Sequence, residues 1–81
     1  MGMLRVLAPE GDRSAVWDRG QAEAGNPEAL DAVREAERIF EEQRSRGATA
    51  FRVRPDAPAQ RLDRFDPEAD QIIMVPRIQG G

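Results

Sequence analysis

Apolar and polar positions alternate near the N-terminus, follow a helical repeat through the middle of the chain, and alternate again before a final unbroken apolar run. From Met3 to Ala8 the pattern places Leu4 and Val6 on one face and Met3, Arg5 and Leu7 on the other, as a strand requires. Pro9, Glu10, Gly11 and Asp12 supply turn chemistry. A second strand over Arg13 to Asp18 turns Ala15 and Trp17 one way, Ser14 and Val16 the other, so the two strands read as a hairpin. Trp17 is the only tryptophan, and the area an indole buries favours a place in the core over a binding role.

Arg19 to Gly25 is polar and shows no period, which predicts a plain connection. Asn26-Pro27-Glu28 then combines a capping amide, a ring preset for the first helical position and an acid at the positive end of the dipole. The helix runs to about Arg46, where Gly47 stops it. Ala29, Val33, Ala36 and Phe40, flanked by Ala32 and Ile39, form its apolar stripe, while Asp31, Arg34, Glu35, Arg38, Glu41, Glu42 and Ser45 stay wet. In so small a chain the stripe is needed for the core, although it would also suit a partner's groove.

Thr49 to Arg54 alternates with Phe51 and Val53 inward and Arg52 and Arg54 outward. Pro55 and Pro58 break that strand, and a shorter edge strand over Gln60 to Phe65 turns either Leu62 or Phe65 inward. Asp66 to Asp70 is a turn, with Asp66 placed to cap and Pro67 to follow it. Ile72, Ile73, Met74 and Val75 are consecutive, too few for a helix and without alternation, which predicts a central strand covered on both sides. Pro76 ends it, and the chain closes on Gly80 and Gly81, which lack a Cβ.

The order strand, strand, helix, strand, strand, strand has a two-layer solution, an α+β fold in which one helix crosses one face of a mixed sheet. The last strand belongs in the middle beside the first, and the helical crossover permits them to run parallel. This is a β-grasp arrangement, with residues 1–76 as a single domain and 77–81 as a tail.

Composition removes many functions from such a domain. A chain of 81 residues holds one modest core. With no Cys and no His it lacks thiolate nucleophiles, disulfides, the usual zinc ligands and the commonest general base, so neither an enzyme nor a metal site is expected. The net charge of −3 argues against nucleic acid. Arg52, Arg54, Arg61 and Arg64 could form a local anion patch or else the wet faces of two strands. Every basic residue is Arg, which fits codon bias, heat adaptation (although thermophile proteins usually gain Lys as well as Glu) or the avoidance of amine acceptors. No basic leader precedes an apolar segment and no run reaches membrane-spanning length, so a soluble, cytoplasmic protein is expected.

The C-terminal segment also resembles a known family. An acidic turn residue Asp70, an apolar strand over Ile72 to Val75, Pro76, an apolar hinge Ile78 and a terminal Gly80-Gly81 are similar in order and spacing to ubiquitin-like β-grasp proteins. The nearest branch is the small sulfur carriers, the molybdopterin-synthase small subunit and the thiamine-synthesis carrier. Arg77 stands where the molybdenum-pathway carriers often have a second proline, and the long helix and Arg-rich third strand are not typical of that branch. The resemblance implies a carrier rather than an enzyme. A partner E1-like adenylyltransferase would use ATP to activate the Gly81 carboxylate, with Pro76, Arg77 and Ile78 as the partner-binding hinge and no cofactor bound to the chain itself. A noncatalytic interaction or structural module, such as an accessory protein of a phage or larger complex, fits the same elements.

Overall fold

The computed structural model describes residues 1–8 and 11–77. Its elements are β1 (Gly2–Val6), β2 (Arg13–Trp17), α1 (Arg19–Glu23), α2 (Pro27–Ser45), β3 (Thr49–Arg54), β4 (Ala57–Leu62) and β5 (Gln71–Val75). The strands form one mixed sheet in the order β2-β1-β5-β3-β4. β1 pairs antiparallel with β2 and parallel with β5, while β3 pairs antiparallel with both β5 and β4. The architecture is α+β with one long helix against one sheet face, compatible with the β-grasp-like arrangement. The last strand lies beside the first, as burial and connection length require.

One element departs from the expected order. Residues 19–23 are helical rather than a plain connection: the Asp18 carboxylate accepts from the Gln21 N–H at 3.0 Å, and the Ala22 N–H reaches the Asp18 carbonyl at 2.9 Å. Five residues are too few to display a helical period, and none of them is buried, so no apolar stripe marks the element in the sequence. At α2 the capping logic holds. Asn26 accepts from the N–H groups of Glu28 and Ala29, Pro27 follows it, and Gly47 turns left-handed at φ +93°. On its wet face, a hydrogen bond from the Arg38 guanidinium holds the Glu35 carboxyl below its ordinary range.

Leu4, Val6, Trp17, Ala36, Ile39, Phe40, Ala50, Ile72 and Met74 form the core between α2 and the sheet. Phe65 packs on this core between the rings of Trp17 and Phe40, with centroids 5.4 and 5.8 Å away. Leu62 and Phe65 both touch the core, because β4 ends at Leu62 and the following turn frees Phe65 from strand parity. β4 also starts earlier than expected and contains Pro58, which an edge strand tolerates because one side of its ladder is unpaired.

β3 faces the opposite way from the expectation. Ala50 is fully buried opposite Met74, and Arg52 pairs in register with Ile72, so Ala50 and Arg52 share the helix-side face. Phe51 and Val53 lie on the other face. Arg52 Nη1 binds Asp66 Oδ2 at 3.1 Å with both side chains about a quarter exposed (23% and 24%), and its Nε is buried without a partner among the described residues. Removing only the anion leaves a guanidinium stranded, whereas removing the cation and filling its space does not. Asp66→Ala is therefore expected to cost about 1–3 kcal/mol and Arg52→Met less than about 1 kcal/mol, as measured by urea unfolding. Equal losses would contradict this account of the pair.

Candidate functional site

β5 is central in the sheet, but only one of its faces is covered. Ile72 and Met74 are fully buried under the helical layer, whereas Ile73 is half-buried and Val75 is 38% exposed. The expectation of a strand covered on both sides is corrected accordingly: among the described residues both helices lie on one side, and the opposite face of the sheet is open. Consecutive apolar residues signal two apolar faces, and a second apolar face can await a partner as readily as a second layer.

Strand register sets the order of side chains across that open face. One row runs Ser14, Arg5, Ile73, Phe51 and Arg61, and the next runs Val16, Met3, Gln71 and Val53. Val16 is 49% exposed and Met3 37%, beside the half-buried Phe51, Val53 and Ile73. Arg5, between Ser14 and Ile73 in the first row, is bridged to Asp12 at 3.0 Å. The result is an apolar strip interrupted by Arg5 and ended by Arg61 on the edge strand.

The arginines singled out in the sequence do not converge. Arg61 shares the open face with Phe51, Arg52 points to the helix side and engages Asp66, and Arg54 and Arg64 are exposed at the ends of β3 and beyond β4. Of the tail residues, Pro76 is half-buried and Arg77 exposed, directly after the central strand. Ile78, Gly80 and Gly81 lie outside the described residues.

Turn geometry anchors the chain just before β5. Trp17 Nε1 donates to the Pro67 carbonyl at 2.9 Å, and Arg19 Nη1 donates to the Glu68 carbonyl at 2.8 Å while bridging to Asp70 at 2.7 Å. The Asp66 carboxylate accepts from the Glu68 N–H, so the predicted turn forms without becoming a helix. These bonds fix where β5 begins, and Pro76 and Arg77 leave from its other end. There, Arg13, Arg46 and Arg77 border a cavity of about 450 Å³. Arg13 and Arg46 gave no sign in the sequence, because they come from a hairpin and a helix end far apart along the chain.

Comparison with family models, with curated proteins and with solved structures finds no match. No helix among the described residues is long and apolar enough to cross a membrane.

Proposed function

We propose that this chain is a ubiquitin-like carrier or modifier of β-grasp architecture, acting as the substrate of a partner E1-like adenylyltransferase. The observation that carries this reading is the path of β5: the central strand, paired in parallel with β1, passes directly into Pro76 and Arg77 and so toward Gly81, beside an open apolar sheet face. The face would hold the partner while the tail enters its active site. Gly80 and Gly81 suit a narrow passage because neither has a Cβ.

The chemistry requires no side-chain catalyst from this chain. A carboxylate oxygen of Gly81 attacks the α-phosphorus of ATP in the partner's site, and pyrophosphate leaves to give an acyl-adenylate. Sulfide or an amine then attacks the acyl carbon and AMP leaves, forming a thiocarboxylate or an amide. Neither step changes an oxidation state. In cells that carry the native pathway, intact-mass measurement is expected to show a fraction of the chain with one oxygen exchanged for sulfur, or joined covalently through Gly81. Appending a single residue after Gly81 should abolish both forms.

A second reading is supported by the same open face. Val16, Met3 and Val75 stand on a rigid sheet and would serve a noncatalytic interaction module equally well, with no chemistry at the tail. Such a module keeps its function when the terminus is extended and loses it when Val16 and Ile73 are made polar.

A further inference from the structure

A separate feature lies at the end of the sheet where β1 and β5 finish, on the side reached by the last turn of α2. The cavity of about 450 Å³ is lined by Val6, Leu7, Arg13, Gln43, Arg46 and Arg77, among others, with no carboxylate in its described wall. Three guanidinium groups from β2, the α2 C-cap and the segment after β5 thus border one hollow in a chain whose net charge is −3.

Their partners among the described residues leave them with donors to spare. Arg13 Nη1 and Arg46 Nη2 lean on the same oxygen, Glu42 Oε1, at 3.9 and 3.6 Å. Both distances exceed hydrogen-bond range, so the carboxylate gathers the two cations without occupying their N–H groups. The other oxygen of Glu42 accepts from Arg38 at 3.1 Å, which further divides its charge. Arg77 comes from the segment after β5. Its aliphatic stem passes over Gly47, where a Cβ would meet Arg77 Cδ at 3.1 Å, so the absence of a side chain at Gly47 makes room for that stem.

Among the described residues, one shared carboxylate, Glu42, offsets only part of the charge of Arg13 and Arg46 at the helix end. The Gln43 carbonyl accepts from the N–H groups of Arg46 and Ala48, and the Arg44 carbonyl accepts from Gly47. These acceptors are already engaged, which limits the repulsion an anion would meet at a bare helix C-terminus. Guanidinium forks match tetrahedral oxyanions in geometry, and a hollow of this size takes more than one linked phosphate group with its water.

We propose that Arg13, Arg46 and Arg77 form a binding site for a small phosphate-bearing anion with two or more linked phosphates. The site needs no partner protein and stands independently of whether Gly81 is activated.

The test is a titration of the full chain with inorganic pyrophosphate at constant, low ionic strength, followed by amide and arginine Nε–H resonances in ¹⁵N-resolved NMR spectra. Saturable shifts are expected at Arg13, Arg46, Gly47, Ala48 and Arg77, weakening as salt is raised. The variant Arg13→Gln/Arg46→Gln should bind about tenfold or more weakly. Arg61→Gln/Arg64→Gln should bind as the parent does. All these arginines are on the surface, and an unchanged thermal midpoint confirms that each variant is folded. Linear shifts spread over every arginine would overturn the proposal, as would equal binding by the Arg13/Arg46 variant. A short polyglutamate that matches pyrophosphate at equal charge concentration would overturn it too, assigning the hollow to an acidic polypeptide instead.

Discussion

Phe40→Ala is expected to lower the free energy of unfolding by about 3–5 kcal/mol, the range for removing a buried aromatic ring and leaving its cavity. Phe40 is fully buried, belongs to the central cluster, and meets Phe65 edge to face at 5.8 Å and 69°. Phe65 in turn leans on Trp17, so losing the Phe40 ring unpacks a row of three aromatics rather than one contact. A domain of this length has a total stability of roughly 4–12 kcal/mol, so the variant is expected to be near the threshold of folding at room temperature. Urea unfolding followed by Trp17 fluorescence measures the loss. Phe40→Leu, which keeps most of the volume, should cost about 1–2 kcal/mol and remain folded. Val16→Ala, at a side chain 49% exposed, should stay within about 0.5 kcal/mol. A loss below about 1 kcal/mol for Phe40→Ala would mean that this ring is not in the core.

The second large effect is expected at a position with no side chain. Gly2 sits in β1 directly opposite Trp17, and a Cβ there would lie 2.5 Å from Cζ2 and Nε1 of the indole and closer still to Cε2. Its φ is not positive, so the restriction is steric rather than conformational. Alanine in a strand normally gains about 0.5–1 kcal/mol over glycine, and here that gain should be reversed into a loss of about 1–3 kcal/mol as the indole is forced aside. Displacement also threatens the bond from Trp17 Nε1 to the Pro67 carbonyl, which helps hold the turn before β5. Trp17→Leu removes the obstructing ring and is costly alone, but in its presence Gly2→Ala should be nearly neutral. The cycle, followed by far-ultraviolet circular dichroism, should show a coupling of about 1–3 kcal/mol. Additive losses would show that the clash is relieved elsewhere.

Both predictions depend on contacts of different legibility. The helical stripe by itself places Phe40 inside, because a repeat of three and four residues admits only one apolar face. The contact between Gly2 and Trp17 was not legible, since strand alternation assigns a face but does not reveal which backbone carbon an indole will cover. The open sheet face was hidden for a related reason. Apolar runs such as Ile72 to Val75 record low polarity on both sides of a strand without recording what covers each side.

Local rules set most of the elements. Asn26 and Pro27 start α2, Gly47 ends it, and Pro76 follows the last residue of β5, because caps and missing N–H groups act within a few residues. Alternation alone assigned the faces of β3 the wrong way round: Phe51 and Val53 are the larger apolar residues, yet pairing with β5 aligns Ala50 with Met74 and sends Arg52 toward Asp66. A one-residue choice of register exchanges every side chain between faces, and that choice is made by the sheet as a whole. The same long-range assembly brings Arg13, Arg46 and Arg77 around one hollow. No neighbour along the chain could announce that meeting, because the physical link is the closing of β1 onto β5 and of α2 over both.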